Sequence, residues 1–214
     1  VFDRGERSIR LVHRNADGSR SAFCANGTRC AARAGVARAD LPVRLSVLTD
    51  WAEIAAEVRQ DTVTLELPAV AEPTRRALES GDLCWQGSQI VVGVPHLVLP
   101  VSNLDDLAID TVAPPLRSHP ALGPEGANVH FVERESAVLR IRSFERGVEA
   151  ETLCCGSGVV AAGLLALMDS DATRISVQAR SGDRLTVETL GAPPTASSRL
   201  TGPVRLVAEI VPFD

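Results

Sequence analysis

The sequence predicts an α+β fold made of two similar halves, each with a helix packed against curved, mostly antiparallel strands. The first observation is a repeated element. Cys24 and Cys155 each precede a tight turn and an Ala-rich stretch, with Gly three residues and Ala seven residues after the cysteine. The second observation is the order of segments, which runs strand, Cys-helix, strands, and then strands, Cys-helix, strands. An internal duplication is the simplest account of both.

The first half contains alternating apolar segments that are typical of strands. We expect these strands at residues 8–13, 43–48, 52–58 and 62–67. The composition of residues 15–18 predicts a turn, and a helix is expected from about 26 to 39. Prolines at positions 68 and 73 mark a break in the pattern, so we place the boundary between the halves near residue 68.

The second half repeats this arrangement around a helix that follows Cys155 and ends near residue 168. Predicted strands lie at residues 89–92, 97–101, 128–133, 138–144, 174–179, 185–189 and 204–211. Residues 74–80 are ambiguous. We expect a short helix at 103–109, a proline-rich loop from there to 126, a hairpin turn at 181–183 and a polar loop at 192–198.

Composition excludes several classes of protein. The chain has 214 residues, is 45% hydrophobic and 23% charged, and carries a net charge of −5, which is typical of a soluble globular protein. It has no basic run, so we expect no nucleic-acid partner. No apolar run approaches the roughly 20 residues of a membrane helix, so we expect no membrane partner. Five cysteines without a disulfide-like spacing favour a reducing, cytoplasmic location.

The absence of lysine limits the possible cofactors. All 22 basic residues are Arg, and a pyridoxal-phosphate enzyme needs a Lys to form its Schiff base. A zinc site is disfavoured as well, because the four His show no ligand spacing with the Cys. We therefore expect neither a cofactor nor a metal.

The position of the two cysteines suggests a chemistry. A helix N-terminus has unpaired N–H groups and the positive end of the helix dipole, which bind anions and lower the pKa of a nearby thiol. Two such ends facing each other can hold one carboxylate between two thiols. This arrangement suits removal of an amino-acid α-proton from one face and its return to the other. His96, held rigidly after Pro95, is a candidate base for a nearby thiol.

The sequence resembles the diaminopimelate epimerase family, whose hallmark segments it matches in order over nearly the whole chain. The matching segments are residues 14–19, 24–30, 93–96, 126–128, 145–147, 151–158 and 201–203. The two cysteine segments carry the resemblance, because their combination is highly specific.

The resemblance implies two pseudosymmetric half-domains, residues 1–68 with 205–214 and residues 69–204, with the site in the cleft between them. It implies a cofactor-independent epimerase that interconverts LL- and meso-diaminopimelate in lysine and peptidoglycan precursor biosynthesis. It also implies a possible homodimer.

Residue roles also follow from the resemblance. The implied acid/base thiols are Cys24 and Cys155, and His96 and Glu145 assist proton movement. The implied substrate-binding residues hold the reacting carboxylate through backbone N–H groups or grip the distal end of the substrate. The first group is Ala25, Asn26, Gly156 and Ser157, and the second is Asn15, Asn128 and Arg146.

The chain departs from the family pattern at three places. Ala25 stands where the family usually has Gly, and Val94 stands where it has an Asn that contacts the distal end of the substrate. The family's first strand and the segment after it, which carry another substrate-binding Asn, have no counterpart, so we expect an N-terminally truncated member. These departures leave alternatives open: a racemase of another amino acid, a Cys-His hydrolase or transferase, or an inactive fragment.

Overall fold

The structure is a computed structural model that describes residues 2–4, 7–38 and 40–208, and more of these residues lie in strands than in helices. The α-helices are α1 (Ala25–Arg38), α2 (Ile109–Arg117) and α3 (Gly156–Met168), and a 3-10 helix spans Pro120–Leu122. The strands before α2 are β1 (Phe2–Arg4), β2 (Ser8–Leu11), β3 (His13–Arg14), β4 (Arg20–Ser21), β5 (Arg44–Leu48), β6 (Glu53–Arg59), β7 (Thr62–Leu67), β8 (Thr74–Ser80), β9 (Leu83–Val92) and β10 (Val94–Pro100). Those after it are β11 (Asn128–Glu135), β12 (Val138–Glu145), β13 (Ala150–Thr152), β14 (Arg174–Gln178), β15 (Arg184–Thr189) and β16 (Ser198–Pro203).

One continuous sheet holds fourteen of these strands. Its order is β1-β2-β5-β6-β7-β16-β15-β14-β12-β11-β10-β9-β8, with β13 added on β12 and with β3 and β4 pairing separately. Only three of the described pairs are parallel, namely β2 with β5, β10 with β11, and β12 with β14. The β7–β16 pair joins a strand from the first third of the chain to the last strand, and the Thr64 and Thr201 hydroxyls lie 2.9 Å apart across it.

The two cysteine helices lie against this sheet and touch each other. Helix α1 packs on β2, β5, β6 and β7, and α3 packs on β9 to β12, β14 and β15. Helix α3 is apolar nearly all round, which is typical of a helix enclosed by protein on every side. Gly163 permits this close approach, since a Cβ there would lie 2.7 Å from the Val187 side chain. The expected α+β class, with helices on a mostly antiparallel sheet, is confirmed.

Helix α2 differs from the sequence prediction. The helix expected at residues 103–109 is wrong, and a helix forms instead in the segment expected to be a loop. Pro114 and Pro115 lie inside this helix, and because proline disfavours a helix interior, the sequence predicted a loop here. It forms because Ile109, Ala113 and Leu116, spaced four and three residues apart, bury one apolar face.

The predicted position of the last strand is also wrong. The sequence predicted a strand at 204–211 and a loop at 192–198, but β16 begins at Ser198 and ends at Pro203. Residues 204–208 form no strand, and 209–211 lie outside the described residues. Burial of Ser198, Leu200 and Gly202 on one face, between β15 and β7, determines the register of β16.

The junction at residues 93–96 is tighter than expected. Strands β9 and β10 are separated by Gly93 alone, so Val94 and His96 belong to β10. Gly93 adopts a φ of +72°, and a Cβ there would lie 2.4 Å from the Cβ of Phe23. The division into half-domains at residue 68 stays a prediction, and part of its C-terminal segment, 209–214, lies outside the described residues.

Candidate active site

A small cleft lies where the N-termini of α1 and α3 meet. Of the eleven site residues named from the sequence, ten line it: Asn15, Cys24, Ala25, Asn26, Asn128, Glu145, Arg146, Cys155, Gly156 and Ser157. These residues come from positions between 15 and 157 and from both halves of the chain. His96 is the exception and is fully buried beside the cleft.

The two cysteines occupy equivalent positions. Cys24 directly precedes α1, and its sulfur accepts a hydrogen bond from the N–H of Gly27 at 3.3 Å. Cys155 is the N-cap residue of α3, and the N–H of Gly158 stabilises its thiolate in the same way. In both cases the donor is the Gly three residues later, so the repeat seen in the sequence is a repeat of local geometry.

The two helix N-termini are in direct contact. Asn26 donates from Nδ2 to the carbonyl oxygen of Cys154 at 2.7 Å, which joins the start of α1 to the residue before Cys155. A Cβ at Gly156 would lie 2.6 Å from Asn26 Oδ1 and 3.0 Å from the Cβ of Ala25. Position 156 therefore has no space for a side chain, and the first N–H groups of both helices converge on one region.

The expected lowering of the thiol pKa values is wrong for this cleft. Burial raises the pKa of Cys24, although the Gly27 N–H offsets part of the rise. Burial also raises the pKa of Cys155 well above its usual value. The reason is that removing water from a thiolate costs more than a few backbone N–H groups return. Both thiols are therefore protonated in the free cleft at neutral pH.

Glu145 affects both thiols. Its negative charge raises the pKa of Cys24 and of Cys155, and its carboxylate also accepts a hydrogen bond from the Cys155 thiol. Its Oε1 accepts a second hydrogen bond from the hydroxyl of Thr152 at 2.5 Å. A carboxylate held in this way can receive a thiol proton.

His96 belongs to a buried chain of polar groups behind Cys155. Its Nδ1 lies 2.8 Å from Nε2 of His130, whose Nδ1 lies 2.9 Å from the hydroxyl of Ser143. Burial lowers the pKa of His96 to about 3 and lowers that of His130 well below its usual value, so both rings are neutral. The Nε2 atom of His96 is buried and has no hydrogen-bond partner among the described residues.

The predicted distal residues form a polar wall. The Asn128 side-chain oxygen accepts the backbone N–H of Arg146 at 2.8 Å, and the Arg146 guanidinium pairs with the exposed Glu125 at 2.8 Å. Asn15 packs on Gly147, where a Cβ would lie 2.6 Å from its Nδ2. Val94 also lines the cleft, so the position that departs from the family pattern faces the site.

Sequence reasoning missed three residues that line the cleft and one that lies behind it. The lining residues are His13, Ser21 and Phe23. The fourth, Arg29, is 5% exposed and donates to Asn26 Oδ1 at 3.0 Å. Position 29 lies within residues 24–30, a segment that resembles the family, but only the fold shows that its side chain is buried between the helices.

Comparisons with known proteins identify the family of this chain. Residues 89–207 match the family described as Diaminopimelate epimerase. A diaminopimelate epimerase of Aquifex aeolicus is 31% identical over 191 residues, which are 87% of this chain and 68% of that protein. One from Methanothrix thermoacetophila is 38% identical over 178 residues, 77% of this chain and 61% of that protein. The chain thus spans about two thirds of the length of these relatives.

Solved structures show the same fold at low sequence identity. A PhzF-family phenazine biosynthesis protein from Enterococcus faecalis superposes with a TM-score of 0.69 at 17% identity, covering 97% of this chain and 79% of that one. A probable proline racemase from Agrobacterium radiobacter also reaches 0.69, at 12% identity over 94% and 72% of the two chains. None of the helices in the described residues has the length and apolar character to span a membrane. On the family match and the curated relatives, this chain belongs to the diaminopimelate epimerase family of isomerases.

Proposed function

We propose that this cleft epimerises an amino acid by transferring its α-proton between Cys24 and Cys155, without a cofactor, and that the substrate pair is LL- and meso-diaminopimelate. The observation that carries the proposal is that both thiols line one cleft at the contact between two helix N-termini. The names of the relatives support the choice of substrate. In this proposal the protein acts in the supply of lysine and peptidoglycan precursors, in the cytoplasm and as a homodimer.

The α-carboxylate of the substrate binds at the two helix N-termini. The N–H groups of Ala25 and Asn26 start α1, and those of Gly156 and Ser157 start α3. These groups and the two helix dipoles favour negative charge. They also stabilise the carbanion, because its charge delocalises into the same carboxylate when the α-proton leaves.

Proton transfer then requires one thiolate and one thiol on opposite faces of the α-carbon. The thiolate takes the α-proton and becomes a thiol, while the other thiol donates its proton and becomes the thiolate. Because burial keeps both thiols protonated in the free cleft, one must lose a proton when the substrate enters. Glu145 and neutral His96 are the groups that assist, since Glu145 already accepts a hydrogen bond from the Cys155 thiol.

The distal end of the substrate faces the polar wall. Arg146 can exchange its exposed partner Glu125 for a substrate carboxylate, which a guanidinium binds in bidentate geometry. Asn15 and Asn128 complete the contact.

A second candidate is a racemase of another amino acid with the same two thiols. Val94 favours it, because its apolar side chain lines the cleft where an Asn would serve the polar distal group of diaminopimelate. An unpaired polar group there costs roughly 1–3 kcal/mol of binding.

The test is α-proton washout in D₂O, followed by NMR, on the full-length protein with LL- and meso-diaminopimelate and a panel of other amino acids. We expect exchange on diaminopimelate and a loss of more than about 100-fold in overall epimerisation in both Cys24→Ala and Cys155→Ala. Cys84→Ala, at an exposed cysteine, is the matched control.

Each other outcome has a separate meaning. Exchange only on another amino acid selects the second candidate and keeps the mechanism. Near-normal epimerisation by either cleft variant overturns the two-thiol mechanism.

A further inference from the structure

The proposed reaction leaves a second feature of the cleft unexplained, a cluster of soft metal-binding groups behind it. One ring nitrogen of His96, one of His130 and the sulfur of Cys155 all lie within 4.8 Å of one another. Both histidines are 0% exposed and Cys155 is 4% exposed. Two imidazoles and a thiolate are ligands that Zn²⁺ and related thiophilic cations prefer.

The spacing of the cluster is near that of a metal centre. In a tetrahedral zinc site the ligand atoms lie about 3.3–3.6 Å apart, given zinc–nitrogen bonds near 2.0–2.1 Å and a zinc–sulfur bond near 2.3 Å. The facing nitrogens of His96 and His130 are 2.8 Å apart, and no ligand atom of the cluster is farther than 4.8 Å from another. Cation binding therefore requires the two facing nitrogens to move apart by about 0.5 Å and leaves no pair of ligand atoms more than about 1.5 Å beyond its required separation.

The surrounding contacts orient the ligands. Ser143 engages Nδ1 of His130 at 2.9 Å, which leaves Nε2 of that ring to face the cluster. An outer partner of this kind is typical of metal-binding histidines. Nδ1 of His96 is the nitrogen that faces His130, and Nε2 of the same ring is buried without a hydrogen-bond partner in the described chain, so Nε2 can carry the ring proton when Nδ1 binds a cation.

The fold assembles the cluster, and the sequence spacing gives no sign of it. Strands β10 and β11 are parallel neighbours in which Val98 pairs with His130 and His96 pairs with Asn128, so the two histidines meet on one face. Gly158 makes space for the His130 ring beside α3, since a Cβ there would lie 2.2 Å from Cε1 of that ring. Local spacing of His and Cys in the sequence cannot indicate this site, because the ligands come from three separate elements.

We propose that His96, His130 and Cys155 form an inhibitory binding site for Zn²⁺ or another thiophilic divalent cation. The cation enters through the cleft, which Cys155 lines. The thiol proton leaves to solvent as the metal–sulfur bond forms. The metal replaces the hydrogen bond between the two rings, and the proton of that bond moves to a ring nitrogen outside the cluster, such as Nε2 of His96. No electron is transferred. If Cys155 is an acid/base thiol, as the proposed function holds, metal occupancy and epimerisation exclude each other.

The first test uses Co²⁺ as a spectroscopic probe of the reduced full-length protein, so it needs no activity. A thiolate ligand gives a charge-transfer band in the near ultraviolet, and tetrahedral Co²⁺ gives intense visible bands. We expect both in the wild-type protein and their displacement by Zn²⁺. His130→Gln should weaken Co²⁺ binding by more than about 100-fold, above the 10–100-fold that loss of an outer-shell partner costs. His119→Gln, which removes a histidine outside the cluster, is the matched control.

Two cysteine variants identify the sulfur ligand and guard against misfolding of His130→Gln. Cys155→Ala should abolish the charge-transfer band, and Cys24→Ala should retain it. A band that survives in Cys155→Ala overturns the proposal, because the metal then binds elsewhere. A band that is lost in Cys24→Ala but unchanged in a folded His130→Gln also overturns it, because the metal then binds between the two cleft thiols. Absence of any band in the wild-type protein also overturns it.

The inhibition is tested separately. Zn²⁺ should block α-proton exchange reversibly, with recovery after EDTA, and His130→Gln should need a much higher Zn²⁺ concentration. If exchange is never detected but the cobalt bands behave as expected, the metal site stands and the proposed epimerase function fails.

Discussion

Asn26 and Cys154, from opposite halves of the chain, are joined by a hydrogen bond of 2.7 Å from the Asn26 side-chain amide to the Cys154 carbonyl oxygen. The same amide accepts from Arg29 at 3.0 Å through its oxygen. Asn26 is thereby held on both sides at the point where α1 meets the residue before Cys155. This contact fixes the distance between the two cysteine elements.

Replacing Asn26 should therefore loosen the cleft. We expect Asn26→Ala to lower the free energy of unfolding by about 1–3 kcal/mol, because the Cys154 carbonyl and the Arg29 guanidinium each lose a partner. Urea denaturation measures the change. Asn103→Ala, at an exposed Asn, is the matched control and should stay within about 0.5 kcal/mol of wild type. An Asn26→Ala variant as stable as this control would show that the contact does not hold the halves together.

Glu145 should control the ionisation of Cys155. Since its charge and its hydrogen bond both raise the pKa of that thiol, Glu145→Gln should shift the pH midpoint of Cys155 alkylation by iodoacetamide to lower pH. Peptide mass spectrometry measures the rate at each pH. Glu53→Gln, which removes one charge from the exposed face of β6, should leave the midpoint in place. An unchanged midpoint in Glu145→Gln would mean that the carboxylate does not act on this thiol.

Gly158 and His130 should be energetically coupled. A Cβ at position 158 would lie 2.2 Å from the His130 ring, so we expect Gly158→Ala to cost about 1–3 kcal/mol of stability through overpacking. Removing the ring in His130→Ala should relieve this cost. A double-mutant cycle by urea denaturation should give a coupling of at least about 1 kcal/mol, and additive effects would contradict the contact.

The buried histidines should make the protein sensitive to mild acid. Burial lowers the pKa of His96 to about 3 and that of His130 well below 6.5, whereas both protonate near 6.5 in the unfolded chain. Below pH 6.5 the unfolded state therefore binds more protons, and stability falls as the pH falls towards 3. The slope is about 1.4 kcal/mol per pH unit for each buried histidine.

Urea denaturation between pH 6.5 and 4.5 tests this, because most carboxylates are still ionised in that range. A His130→Gln variant should show a shallower slope than the wild-type protein. A wild-type stability that is constant across the range would contradict the prediction.

Val94 should decide preference at the distal end of the substrate. It is 7% exposed and lines the cleft. Val94→Asn adds a hydrogen-bonding amide there, and we expect it to raise kcat/KM for diaminopimelate about tenfold, which corresponds to roughly 1.4 kcal/mol of transition-state binding. Val94→Thr, which keeps the shape, should change it less. The role would be contradicted if Val94→Asn lowered kcat/KM for diaminopimelate and raised it for no other amino acid.

The sequence by itself determined the local elements and the family. Cys24 and Cys155, each with Gly three residues later, predict the two helix starts because a tight turn and N-capping are local effects. Alternation of apolar residues likewise predicts β6, β7, β12 and β15 closely. Helix α2 and strand β16 were misjudged, since burial against neighbouring elements outweighs the two prolines of α2 and gives β16 its register.

Only the tertiary structure decided the chemical state of the site. The sequence predicts acidic thiols from the helix N-termini, whereas burial raises the pKa of both. The contact of Asn26 with Cys154, the burial of Arg29, and the meeting of His96, His130 and Cys155 also have no local signature. The physical reason is that desolvation and side-chain contact depend on which distant segments pack together, and residues more than a hundred positions apart meet only when the sheet closes around both helices.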